Sequence, residues 1–458
     1  MTIREYLDSV KNKPITVLGI GVSNKPLIRL LASAGADVTA RDRKTREQMG
    51  ETAAELEGLG VKLVLGPDYL EGIDGEVVFR TPGMRPDIPQ LEAARARGAV
   101  VTSEMEVFFR VCPCPIVAVT GSDGKTTTTT IISELFKAAG KTVWLGGNIG
   151  TPLLDKAGEM TAQDVCVLEL SSFQLMTMDK SPAVAVITNL APNHLDVHRD
   201  MAEYVDSKRN IFRHQDGTGL LVLNADNDIT ASMVGEQQGS LRTFSRRGRP
   251  ENGTWLDEAG NLMDTELGLI LPKDQITLPG LHNVENYLAA FAALRGLVGP
   301  EVMAQVARTF GGVEHRIEFV RVLDGVKYSN DSIASSPSRT IAGLRSFSQK
   351  VILIAGGYDK HIPFDVLGPE ITAHVKYMAL CGVTADKIKA AVENAPDYLP
   401  GAPEMEQFDN LTAAIQACRA AARPGDVVLF SPACASFDQF PNFMIRGRFF
   451  KEVVNNFN

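Results

Sequence analysis

Cysteine is scarce, six residues in 458, too few at this length for a scaffold stapled by disulfides. The one close pair, Cys112-Pro113-Cys114, has no second pair at metal-ligand spacing and reads as two buried thiols ahead of a strand. Long apolar runs are missing too: none approaches the ~20 residues of a membrane span. The opening stretch MTIREYLDSVKNKP mixes both charge signs without the apolar centre of a signal peptide. Nor is there an excess of positive charge. The net charge of -9 argues against a nucleic-acid partner, and the one basic cluster, Arg246-Arg247-Gly248-Arg249, reads as a solvated loop. These absences fit a reducing cytoplasm and no membrane. With 44% hydrophobic and 22% charged residues the chain is an ordinary globular one, long enough for three domains.

What is present centres on Gly121-Ser122-Asp123-Gly124-Lys125-Thr126-Thr127. The apolar run 116–119 precedes it, and the helical pattern Ile131, Ile132, Leu135, Phe136, Ala139 follows, stopped by Gly140. Strand, glycine turn and helix make a phosphate cradle: glycines let N–H groups approach phosphate oxygens, and the helix start adds unpaired donors and partial positive charge. Lys125 would reach the β- and γ-phosphates, and Thr126 would hold Mg²⁺. Val119 stands where the full pattern has its first glycine, leaving GxxGKT. A plain glycine turn would need neither the Lys nor the Thr.

Before this loop, residues 15–18 read as a strand, Gly19-Ile20-Gly21 as a turn, 27–34 as a helix stopped by Gly35, and 38–40 as a strand closing on Asp42-Arg43. An acid about twenty residues past the glycines resembles a dinucleotide fingerprint. Asn24 occupies the third glycine's place, so ligand site and tight turn both stand. Strands at 61–65 and 76–79 follow, the second leading into Thr81-Pro82-Gly83-Met84, where a small nucleotide-type ligand is expected at a strand's carboxyl end. The pattern breaks near Arg110, ahead of Pro113 and Pro115.

After the loop, 142–145 reads as a strand, followed by Gly147-Asn148-Ile149-Gly150. The apolar run 165–172 carries one acid, Glu169, either an edge residue or a Mg²⁺ ligand beside the phosphates. A strand at 184–188 delivers Asn193-His194-Leu195-Asp196, where His194 and Asp196 suit a helix cap as well as a site. Lys208 falls in a helix of ordinary surface character. Residues 231–275 read as a peripheral hairpin region, and the stretch 278–286 is expected to open a helix running to about 298. Its first turn holds Asn283 and Asn286, suited to capping or to a nucleotide base. From His315-Arg316 a new α/β pattern starts, with strands at 326–329, 351–355, 377–380 and 427–430. Polar loops at 330–337, 356–360 and 431–437 should converge at one sheet edge. Cys434 reads as a buried thiol.

In chain order, GSDGKTTTTT, LELSSFQL, APNHLDVH, GLHNVENYLAA, EHRIEF, NDSIASSP, GGYDK and SPACASFDQFPNF resemble the ATP-dependent Mur ligases over nearly the whole chain. LELSSFQL and SPACASFDQF point to the D-glutamate-adding branch. The resemblance implies an α/β fold of three domains: a Rossmann-like UDP-substrate domain (1–111), a central P-loop ATPase-like parallel sheet (112–314) and a Rossmann-like amino-acid domain (315–458). It implies ATP-dependent joining of D-glutamate to UDP-N-acetylmuramoyl-L-alanine through an acyl phosphate, by a monomer. ATP would be held by Gly121, Ser122, Asp123, Gly124, Lys125, Thr126, Thr127, Asn283, Asn286, Arg316 and Asp331. Two Mg²⁺ ions would lie on Thr126, Glu169, His194 and a carbamylated Lys208. Catalysis would fall to Lys125, His194 and Lys208. The UDP-substrate would meet Val22, Ser23, Asp42, Arg43, Gly83 and Asn148, and D-glutamate would meet Lys360, Ser436 and Phe443. Two positions depart from the family: Ile333 where many relatives have Lys, and Asp123 where they have Asn or Lys. The rival readings are a sibling or folylpolyglutamate-type ligase, a nucleotide-binding protein without catalysis, and an NAD oxidoreductase, the last weakened by Asn24.

Overall fold

The computed structural model describes residues 1–192, 197–278, 280–360 and 362–457. Each strand run expected from the sequence forms one of three largely parallel sheets, because continuous apolar runs can be buried on both faces only with helices packed on either side. The first sheet holds β1 (Pro14–Leu18), β2 (Asp37–Asp42), β3 (Lys62–Leu65), β4 (Val77–Arg80) and β5 (Val100–Thr102) in the order β3-β2-β1-β4-β5. All its neighbouring pairs are parallel. The order reverses between β1 and β4, which opens a crevice at their carboxyl ends.

The second sheet has nine strands: β6 (Ile116–Thr120), β7 (Val143–Gly147), β8 (Val165–Glu169), β9 (Val184–Ile187), β10 (Leu220–Asn224), β11 (Ser240–Ser245), β12 (Gly253–Leu256), β13 (Asn261–Asp264) and β14 (Gly268–Pro272). Their order is β14-β13-β12-β11-β10-β9-β6-β8-β7. The hairpin region expected at 231–275 is the antiparallel edge β12-β13-β14, while β11 continues the parallel sheet beside β10. β6 and β8 are buried at every residue, which places the loops after them at the centre of the sheet's carboxyl edge. The helix Leu281–Leu294 packs its alanines and Phe291 into this core. It stops before the expected 298 because Arg295 leaves helical geometry (ψ 129°) and Gly296 follows at φ +85°.

The third sheet holds β15 (Glu318–Leu323), β16 (Val326–Asn330), β17 (Val351–Ala355), β18 (Val375–Cys381), β19 (Glu404–Phe408) and β20 (Val427–Phe430), ordered β15-β16-β20-β17-β18-β19. Only β15 runs antiparallel, paired to β16. β15 and β19 were not read from the sequence: one to three of their residues face outward at each end of the sheet, so neither has an apolar run. The described chain divides into two compact units, Met1–Phe310 and Gly311–Asn458. No helix among the described residues is long and apolar enough to cross a membrane.

Candidate active site

The 121–124 loop joins β6 to the helix Lys125–Ala138. Gly121 and Gly124 sit at φ +149° and +75°. A Cβ on Gly121 would collide with Thr188, and one on Gly124 with the Asn286 side chain. Only glycine fits either place. The loop is pinned from the end of β9: Ser122 N–H donates to Asn189 O (2.8 Å), Asp123 N–H to Asn189 Oδ1 (2.9 Å), and Thr188 Oγ1 to Asp123 O (2.6 Å). The Ser122 hydroxyl is engaged by Ala191 O (2.9 Å) and the Tyr204 hydroxyl (2.9 Å), so it anchors the loop. Asp123 is held by its backbone and is exposed, where water screens its carboxylate. That accounts for an acid being tolerated in this loop.

Thr126 lies in the first turn of the helix, and its hydroxyl donates to Glu169 Oε2 at 2.7 Å. Asn148 Nδ2 donates to Glu169 Oε1 at 2.8 Å. Glu169 closes β8 and is buried. Hydroxyl and carboxylate oxygens side by side at a helix N-terminus form a hard-cation donor set beside a phosphate cradle. Among the described residues no three His, Cys, Asp or Glu side chains cluster to hold a metal. Lys125 opens the helix, with Nζ 2.9 Å from Ser122 O.

Lys208 corrects the sequence reading. Its helix, Met201–Arg213, buries one face, and Lys208 is among the fully buried side chains. Nζ donates to Thr120 Oγ1 and Gly121 O, both at 3.1 Å, at the root of the phosphate loop. Burial brings its ammonium down to about 7, with the Lys125 charge acting the same way and Glu169 opposing. His194 lies outside the described residues. Asn283 and Asn286 are buried and bonded to each other at 3.1 Å, and Thr128 Oγ1 donates to Asn286 at 3.2 Å. They brace the helix behind the phosphate loop.

The expected UDP-substrate residues collect at the crevice of the first sheet. Val22 and Ser23 follow β1, Gly83 follows β4, and Thr81 packs on Gly19. Asp42 ends β2 and accepts Ile20 N–H (2.7 Å) and Lys44 N–H (2.9 Å), while Arg43 is exposed. Asn24, in the missing glycine's place, fills it by donating to Leu18 O and Gly19 O. Asn148 is apart from this group, seated on Glu169.

In the second unit the three polar loops do converge. Gly356 N–H donates to Pro432 O (2.9 Å), Tyr358 N–H to Ala435 O (3.0 Å), and Ser431 Oγ to Asp331 Oδ2 (2.7 Å). Burial raises the Asp331 carboxyl to about 7, against hydrogen bonds from Ser431 and Ile317 N–H and the charge of Arg316. Ile317, β-branched at φ +43°, and His315 at φ +66° hold a strained turn around the exposed Arg316. Ile333 N–H donates to His315 O. Ser436 is buried and Lys360 exposed, and Phe443 lies edge-on to His315 at 6.0 Å. Burial pushes the Cys434 thiol up to about 11, the mark of an inert thiol. Of the early CxC pair, Cys114 is buried and Cys112 half-buried.

Sequence reading passed over Arg446. Its guanidinium donates to Ser332 Oγ and O, Cys434 O and Ala435 O, tying two of the loops to the C-terminal helix. The signal was available: Arg446, Gly447, Phe450 and Val454 share one helical face. Thr188 and Asn189, which shape the phosphate loop, carry no comparable signal.

A glycine cradle at a helix N-terminus, a hydroxyl-carboxylate pair beside it and a second α/β unit with a polar loop cluster define a nucleotide-dependent α/β enzyme. The Mur ligase middle-domain model matches residues 119–294, and the Mur ligase glutamate-ligase-domain model matches 315–434. UDP-N-acetylmuramoylalanine--D-glutamate ligases of Clostridium novyi and Acetivibrio thermocellus are each 51% identical to this chain, covering 99% of it and 99% and 98% of their own lengths. The crystal structure of UDP-N-acetylmuramate-alanine ligase from Thermotoga maritima shares the fold with a TM-score of 0.57 at 19% identity, covering 97% of this chain and 99% of its own. The chain belongs to the Mur ligase family.

Proposed function

We propose that this protein uses ATP to join D-glutamate to the carboxylate of UDP-N-acetylmuramoyl-L-alanine, forming ADP and phosphate. The observation that carries the reading is Thr126 and Glu169 held 2.7 Å apart against the glycine cradle, in a chain whose 51%-identical relatives carry that activity in their names. A carboxylate has no usable leaving group, so its oxygen first takes the γ-phosphoryl group of ATP. The amine then attacks the acyl carbon, loses a proton and expels phosphate. Both steps are catalysed by positioning and charge neutralisation.

In this reading Gly121, Gly124 and the helix start cradle the phosphates, and Lys125 neutralises charge on the transferred group. Thr126 and Glu169 would hold one Mg²⁺, which screens the phosphate oxygens, and Lys208 with His194 would hold a second. Burial lowers the Lys208 ammonium to about 7, which favours the neutral amine that adds CO₂; the resulting carbamate would supply an anionic oxygen donor. Asn283, Asn286, Arg316 and Asp331 complete the ATP site. Val22, Ser23, Asp42, Arg43, Gly83 and Asn148 take the UDP-substrate, and Lys360, Ser436 and Phe443 take D-glutamate, its carboxylates pairing with the lysine and the serine hydroxyl. The three segments 1–111, 112–314 and 315–458 serve these substrates in turn, in a cytoplasmic monomer.

The test is phosphate release from MgATP with UDP-N-acetylmuramoyl-L-alanine and, in parallel, D-glutamate, L-glutamate, L-lysine or meso-diaminopimelate. Release with D-glutamate alone is the expected result. Release with another amino acid would keep the ligase chemistry and remove the assignment of Lys360, Ser436 and Phe443.

A further inference from the structure

The turn after β4, at residues 81–84, is fastened to the elements of the second sheet, and the fastener is a buried cation. Arg80 ends β4 and is 1% exposed. One guanidinium nitrogen donates to Pro82 O (3.3 Å) and Met84 O (3.1 Å), closing the turn that carries Gly83. Another donates to Phe173 O (3.2 Å) and Thr177 Oγ1 (2.7 Å). Phe173 belongs to the short helix Ser172–Leu175, which starts three residues after Glu169. Glu106, itself buried, supplies the opposing charge.

A buried guanidinium is costly to desolvate, and it persists where its planar fork meets several fixed acceptors at once. Three of these four acceptors are backbone carbonyls on two separate segments. A lysine ammonium at this place could satisfy one segment but not bridge both. The same turn has a second tie. Arg85 reaches Glu203 (2.8 Å) in the first turn of the helix that carries Lys208 and Val197 O (2.7 Å) ahead of that helix, with Asp87 and Arg199 completing the cluster. Those groups are partly open to water, where ion pairs contribute little. Arg80 is the tie that fixes distance.

We propose that Arg80 is a positioning residue: it sets how far the acyl end of a UDP-linked substrate, seated at the 81–84 turn, lies from the phosphate loop and Glu169. Arg80 touches neither substrate. It acts through the turn and through the helix after β8, so its loss should misalign the carboxylate and the γ-phosphate while leaving each ligand's own contacts in place. The assignment rests on the function proposed above.

The experiment uses the full-length enzyme and its Arg80→Lys and Thr177→Val variants. Steady-state kinetics are combined with calorimetric binding of UDP-N-acetylmuramoyl-L-alanine and with thermal melting. The expected result for Arg80→Lys is a kcat about 30- to 100-fold lower, the scale of an ångström-sized misplacement, with the UDP-substrate Kd and the KM for ATP within about threefold of wild type. Thr177→Val removes one acceptor and keeps the cation, and should lower kcat about fivefold with only a small drop in melting temperature. Unchanged kcat in both variants would overturn the proposal, as would a loss confined to UDP-substrate Kd, which would make the turn a binding element only. A wild-type enzyme that turns over no UDP-substrate would instead overturn the functional reading itself, a result distinct from an active wild type with indifferent variants.

Discussion

Lys125→Ala is expected to lower ATP-dependent turnover by roughly 10³-fold, the scale of losing one preorganised charge stabiliser, while the protein melts as the wild type does. Lys125 is the first residue of the helix Lys125–Ala138, and its ammonium is folded back onto Ser122 O, at the lip of the cradle and in reach of a terminal phosphate. Charge accumulates on the transferred phosphoryl oxygens, and helix-end N–H groups alone offer about half a unit of compensating charge. Alanine is the better helix former, and the loop's shape is held from Thr188 and Asn189, so the fold has no reason to fail. Near-normal phosphate release from this variant, measured beside circular dichroism, would remove Lys125 from the chemistry.

Glu169→Gln is expected to lower kcat by about 100-fold and to raise the Mg²⁺ concentration needed for half-maximal rate at least tenfold, the range seen when a charged metal partner is lost. Glu169 receives one hydrogen bond on each carboxylate oxygen, from Thr126 and from Asn148. An amide has one acceptor atom for these two donors, so its NH₂ must face one of them. The substitution therefore removes the anion and also disorders the pair that frames it. Titration of rate against free Mg²⁺ at saturating ATP reads both effects. A variant with unchanged Mg²⁺ dependence would make Glu169 a structural acceptor for Thr126 and nothing more.

How far the sequence could be read depended on whether a residue's role was local. The phosphate cradle is built from consecutive residues, so its strand, glycines and helix were all legible, as were the three loops at the edge of the last sheet, since parallel strands with buried runs force their carboxyl ends together. The burial of Lys208 was not legible because its helix face is closed by the loop root at Thr120 and Gly121, nearly ninety residues earlier in the chain. Arg80 and Asn189 were missed for the same reason: their partners lie 93 and 97 residues away for Arg80 and 66 for Asn189. A hydrogen-bond partner at that separation leaves no period or motif. Asn24 is the converse case, where a departure from a glycine fingerprint was visible at once and its reason, two carbonyls in need of a donor, only in three dimensions.

The acyl-phosphate route is tested most directly by following oxygen. UDP-N-acetylmuramoyl-L-alanine labelled with ¹⁸O in both alanine carboxylate oxygens is turned over with unlabelled ATP and D-glutamate, and the released phosphate is weighed by mass spectrometry. One ¹⁸O atom per phosphate is the expected result, because the carboxylate oxygen that accepts the phosphoryl group leaves with it. Unlabelled phosphate formed alongside the ligated product would mean that water, not the substrate carboxylate, receives the phosphoryl group, and would contradict the account at its centre.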